Sequence, residues 1–269
     1  MTVHARPSST RSAAAPILSK VPLITAAFWV VKVLTTGMGE TASDFLAHRL
    51  GPVPAVAITG LALLAALTWQ LTSPRYRAPV YWTAVVMVSV FGTVAADVLH
   101  VGLGVPYLLS TIAFAAVLAA VFWLWKQREG TLSIHSIHTR SREQFYWATV
   151  LATFALGTAA GDLTARTLNL GWFVSALLFA ALMLVPALLR RPLGEIATCW
   201  TAYVLTRPLG ASVADWMATS HGQGGLNLGT GPVTLGWGAL IVVFVAALAL
   251  TRRDVEERAT SPALDTALE

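Results

Sequence analysis

Apolar positions along this chain fall into long continuous runs rather than alternations. Eight runs stand out, at about Val21–Phe45, Val53–Thr72, Pro79–Val101, Pro106–Lys126, Gln144–Arg166, Gly171–Arg190, Ile196–Met217 and Val233–Thr251. A bilayer core about 30 Å thick takes roughly 20 residues of helix. A barrel strand is only about 10 residues long and alternates in polarity. Each run therefore predicts a transmembrane helix whose backbone polar groups are satisfied internally. Residues 1–20 and 254–269 read as solvated tails. The spans divide into a first half at 21–126 and a second at 143–253, joined by a linker at 127–142. The first run contains Lys32, Glu40 and Asp44 and has no short apolar core, so it does not read as a cleaved signal.

The odd-numbered runs repeat one pattern. Trp29, Trp82, Trp147 and Trp200 are each followed ten residues later by Gly39, Gly92, Gly157 and Gly210, and five residues after that by Asp44, Asp97, Asp162 and Asp215. Trp29 and Trp82 are 53 residues apart, as are Trp147 and Trp200, while 65 separate Trp82 from Trp147. The expected fold is thus all-α and integral to the membrane. It has eight helices in four tandem two-helix repeats, grouped as two similar halves. An even number of spans per repeat gives all four the same orientation, unlike the inverted repeats of many transporters. The odd helices are expected to face a common axis.

Composition agrees: 56% of the residues are hydrophobic and only 12% charged, about half the charge of a soluble domain. A soluble enzyme is not expected. The formal charge of +5 does not call for nucleic acid, because Lys and Arg crowd the ends of even-numbered spans. Arg75 and Arg77 follow span two, Lys126 and Arg128 span four, Arg190 and Arg191 span six, and Arg252 and Arg253 span eight. The positive-inside rule then predicts a multi-pass protein of a bacterial cytoplasmic membrane with both termini in the cytoplasm. The single cysteine, Cys199, excludes an intrachain disulfide or a cysteine metal cluster.

Helical spacing of about 100° per residue gathers the polar residues of the odd spans on one stripe. Counting from each Trp, position +3 holds Lys32, Val85, Val150 and Tyr203. Position +7 holds Thr36, Ser89, Phe154 and Arg207, and +11 holds Glu40, Thr93, Thr158 and Ala211. Charges facing lipid cost about 2.5–3.5 kcal/mol each, so the stripe is expected to face protein or water. The four aspartates then form either a carboxylate ring for a cation path, with a bound divalent cation such as Mn as the associated metal, or a repeated set of loop contacts. The glycines read as close-packing positions. The tryptophans read as interface anchors or as an aromatic gate. Lys32, Glu40 and Arg207 occur in single repeats and predict a buried ion pair, either a register device or a switch. Pro208 predicts a kink.

Other signals are weaker. His135 and His138 lie in the basic linker, where a docked loop is the plainer reading. His48 and His100 lie just beyond the aspartates and read as surface residues. The glycine-rich stretch 221–231 reads as a flexible cap and matches no phosphate loop. No nucleophile–base pair, nucleotide loop or dinucleotide fingerprint is present, so an enzyme or ATP-driven pump is not expected. The partners expected are the bilayer and an inorganic cation, and a homo-oligomer is compatible with the sequence.

The strings KVPLITAAFWVVKVLTTGMGETASDFL, APVYWTAVVMVSVFGTVAADVL, GTLSIHSIHTRSREQFYWATVLATFALGTAAGDLTART and AYVLTRPLGASVADW resemble a bacterial family of uncharacterised membrane-anchored proteins. That family is built from four tandem two-helix repeats of unknown function, each with a signature tryptophan. The resemblance covers about residues 20–252 and implies the fold and the membrane placement. It supplies no activity. The leading expectation is a small transporter or exporter of an inorganic cation, a divalent metal such as Mn or one coupled to protons. The rival is a non-transporting membrane scaffold or sensor that binds a partner or lipid.

Overall fold

A computed structural model describes residues 19–255, and those residues contain helices and turns but no strand. The helices are α1 (Ala26–Leu50), α2 (Pro52–Thr72), α3 (Ala78–Asp97), α4 (Tyr107–Glu129), α5 (Arg140–Asp162), α6 (Gly171–Leu182), α7 (Leu184–Leu188), α8 (Arg190–Ala218) and α9 (Thr230–Thr251). Short π-helical turns, Val98–Gly102 and Leu163–Thr167, continue α3 and α5 beyond their aspartates.

The odd repeat helices form a ring. α1 packs on α3, α3 on α5, α5 on α8, and α8 back on α1. The second helix of each repeat packs chiefly on the first helix of the next: α2 on α3, α4 on α5, and α6 on α8. The last of these, α9, returns onto α1 and closes the circle. A two-helix unit cannot bury its inner stripe alone, so cyclic stacking supplies the missing wall.

Six helical segments are long and apolar enough to cross a membrane. α1 and α8 fall outside that set. They carry Lys32, Glu40 and Asp44, and Arg190, Arg191, Glu195, Arg207 and Asp215, respectively. Both lie in the inner ring, where neighbours bury Lys32, Glu40, Arg207 and Asp215, while Arg190, Arg191 and Glu195 at the start of α8 are exposed. The surrounding helices turn apolar side chains outward, among them Leu61, Leu109, Leu177 and Val242.

The sixth run differs from its expected extent. α6 stops at Leu182, because Pro186 lacks an N–H and crowds the carbonyl four residues before it. After α7, α8 starts at Arg190 and breaks at Gly194, whose φ of 74° is outside the helical range. Pro208 lies inside α8 on helical backbone, and the residue of α8 with non-helical backbone is Gly194.

The tails also begin further out than expected. Lys20 is docked, with Nζ 2.7 Å from Glu143 Oε2. Gln70 donates to the other Glu143 oxygen at 2.9 Å. Asp254 is 2% exposed; its backbone carbonyl accepts from the N–H of Leu23 at 2.9 Å and its carboxylate from the Tyr76 hydroxyl. The linker is docked too, with Ile134 and Ile137 buried and the Leu132 carbonyl accepting from Trp200 Nε1 at 2.9 Å.

Candidate functional site

The ring brings the polar stripe of all four repeats onto one axis. Every residue at positions +3, +7 and +11 is buried, including Lys32, Thr36, Ser89, Thr93, Tyr203 and Arg207 at 0% exposure. The ring can close this tightly because each repeat glycine receives the +7 residue of the next helix. A Cβ on Gly39 would overlap Ser89, one on Gly92 would fall 2.9 Å from Phe154 Cβ, one on Gly157 would overlap Arg207, and one on Gly210 would overlap Thr36. The sequence of contacts runs once round the ring and returns to its start.

Mid-axis, Arg207 is the node. Its Nη1 donates to the Thr36 carbonyl at 3.0 Å. Its Nη2 donates to Glu40 Oε2 at 2.7 Å, to Thr158 Oγ1 at 2.7 Å and to Thr93 Oγ1. Thr93 also donates to Glu40 Oε2 at 3.3 Å. Side chains of four different repeats thus meet at one charge-assisted cluster. Sharing of one carboxylate by a guanidinium and a hydroxyl is the geometry that makes a buried ion pair tolerable.

Next to this node lies Lys32. Its ammonium has no hydrogen-bond partner and sits 4.1 Å from the Phe154 ring centroid and 4.3 Å from that of Tyr203. An aromatic layer follows. Phe28, Tyr81 and Tyr146, each preceding a repeat tryptophan, are at most 1% exposed, and the Tyr81 and Tyr146 hydroxyls hydrogen-bond each other. Trp82, Trp147 and Trp200 pack around them, whereas Trp29 is half-buried beside a cavity of about 510 Å³ at the α1–α8 junction. The sequence marked the tryptophans, while the tyrosines carry the central contacts; three aromatic residues in four at the preceding position were the available signal.

At the opposite end, a cavity of about 420 Å³ is lined by Asp44, Asp97 and Asp162 together with His48, Tyr107 and Arg166. Asp162 pairs with Arg166 Nε at 3.1 Å, one helical turn further on. Asp97 Oδ2 accepts from Ser43 at 3.4 Å, and the Asp44 carbonyl accepts from His48 Nδ1 at 2.7 Å. Asp215 is 7% exposed and is not part of this lining. The four aspartates therefore do not meet as one ring. Among the described residues, no three His, Cys, Asp or Glu side chains are grouped closely enough to hold a metal ion. The expected metal set of Asp44, Asp97, Asp162 and Asp215 is therefore not assembled among the described residues: Asp215 is outside the lining and Asp162 is paired with Arg166. His100 is also not a plain surface residue, being 8% exposed and packed on Tyr107 with ring centroids 4.2 Å apart.

Four segments of the chain, residues 27–76, 80–131, 145–197 and 200–254, match the family described as Repeat of Unknown Function (DUF347). They cover most of the chain, which belongs to that family. No curated protein and no solved structure matches it.

Proposed function

We propose that this four-repeat protein is a multi-pass transporter of a small inorganic cation, a divalent metal or one coupled to protons. In this reading all eight long helical segments cross a bacterial cytoplasmic membrane, with both termini in the cytoplasm. α1 and α8 cross as the charged inner wall of the ring. The basic residues after α2, α4 and α9 support that orientation.

One observation carries the reading. Three carboxylates of three repeats line one cavity of about 420 Å³, and on the same helices the buried Arg207–Glu40–Thr93–Thr158 node ties all four repeats together. Carboxylates lining a cavity raise the local concentration of cations, and a buried pair is a barrier that can be opened by a cation or proton competing for Glu40. The separation of the carboxylates suits a hydrated or transient cation better than a dehydrated, tightly ligated one. The rival scaffold reading draws on Asp215, which lies outside the cavity, and on Asp162, which is held by Arg166.

A thiol-accessibility test separates the two. With Cys199 replaced by Ser, Asp97→Cys and Asp162→Cys should react with a cationic, membrane-impermeant thiol reagent, and millimolar Mn²⁺ or a pH drop should slow the reaction. A cavity that does not react, or that no cation protects, favours the scaffold.

A further inference from the structure

Away from the axis, at the tryptophan end, a separate cavity of about 310 Å³ opens where the last turn of α9 meets the first turn of α3. Its lining holds three arginines, Arg75, Arg77 and Arg252, and one acid, Asp254. The acid is engaged through one oxygen, which accepts from the Tyr76 hydroxyl, while its other oxygen is buried without a hydrogen-bond partner. The three arginines are exposed, and among the described residues none of them pairs with a carboxylate. Arg252 caps α9 in the left-handed region, at φ 52°, a conformation disfavoured for a residue with a Cβ. The Ala78 and Val80 N–H groups in the first turn of α3 have no helical acceptors and add positive potential. The remaining wall is apolar, with Leu248, Ala249 and Pro79 on the α9–α3 seam.

We propose that this basin binds the headgroup phosphate of an anionic phospholipid, with an acyl chain lying along the seam below it. Three guanidiniums match phosphate oxygens by paired donors. α3 and α9 are both apolar enough to span a membrane, so their shared end lies at headgroup level. The apolar wall argues for a lipid over a free anion, which would gain nothing from it. Basic pockets between spans are the recognised setting for acidic headgroups. Basic residues at span ends also set orientation, but orientation does not require three of them around one cavity. Arg128, exposed at the same end on the last turn of α4, is outside the cavity and serves as the comparison.

The test is native mass spectrometry of the purified, detergent-solubilised full chain titrated with phosphatidylglycerol or phosphatidylcholine of identical acyl chains. The wild type should retain phosphatidylglycerol at least about tenfold more tightly. Arg75→Gln, Arg77→Gln and Arg252→Gln should each weaken it by about fivefold, with Arg128→Gln unchanged. Inorganic phosphate at millimolar concentration should not displace the lipid. Each variant is read only as a monodisperse species on size exclusion, and any one of the three suffices if another fails to fold. Equal retention of the two lipids, unchanged affinity in the variants, equal loss in Arg128→Gln, or displacement by phosphate would each overturn the assignment.

Discussion

A guanidinium shut away from water needs most of its donors matched, and Arg207 Nη1 and Nη2 use oxygens from three other repeats, while its Nε has no partner among the described residues. Removing one partner leaves an uncompensated charge, which costs about 3–5 kcal/mol, whereas replacing both with apolar groups of similar volume costs far less. Arg207→Met and Glu40→Gln should therefore each lower thermal stability in detergent sharply, and Arg207→Met with Glu40→Leu should recover most of the loss. The glycines make a second case at this scale. A methyl at Gly157 overlaps Arg207, while one at Gly236 meets open space. Gly157→Ala should cost about 1–3 kcal/mol by overpacking and Gly236→Ala should be neutral, both read by thermal unfolding. The axial stripe was legible in the sequence because the 100° geometry of a helix is independent of tertiary context. The Lys32 ammonium between Phe154 and Tyr203 was not, since it joins residues at different heights of three repeats.

Among the elements, the break in the sixth run was written in the sequence at Pro186 and Gly194 but hidden by uniform apolarity. Continuous hydropathy predicts that a segment is buried in lipid without saying where its backbone turns. Gly194→Ala should destabilise by about 1–2 kcal/mol, since φ 74° penalises a Cβ, and thermal unfolding reads this out. The tails were misplaced for a different reason: Asp254 looks like a solvated acid until Tyr76 is brought against it. Burial raises the Asp254 pKa above the ordinary carboxylate value, opposed in part by the hydrogen bond from Tyr76. The folded state then binds this proton more tightly than the unfolded chain does. Its contribution is complete below the unfolded value of about 4 and is lost as pH rises through the folded value. Wild-type stability should fall relative to Asp254→Asn as pH is raised from 4 toward neutrality, and melting temperatures across that range check it.

At the scale of the whole molecule, the fourfold repeat foretold helices facing a shared axis but not how the circle closes. Periodicity gives the unit and its orientation; it is silent on whether each second helix covers its own partner or the next one. Packing on the next repeat makes α9 the outer wall of α1, so the first and last helices are held together in one ring. The same closure decides the site. It drives the +7 and +11 positions into contact and puts three of the four aspartates on one cavity, where the sequence alone left a carboxylate ring and separate loop contacts as alternatives. The family match extends to all four repeats, and the first helix of each contributes to the ring, while the charges at its centre come from single repeats. The central claim is that this axis moves cations. It is tested most directly by reconstituting the protein in liposomes and recording Mn²⁺ and proton flux for wild type, Asp97→Asn and Asp162→Asn. The account predicts wild-type flux of at least one of these cations and at least a tenfold loss in both variants. Flux unchanged by the substitutions, or no wild-type flux across a broad panel of cations, would contradict it.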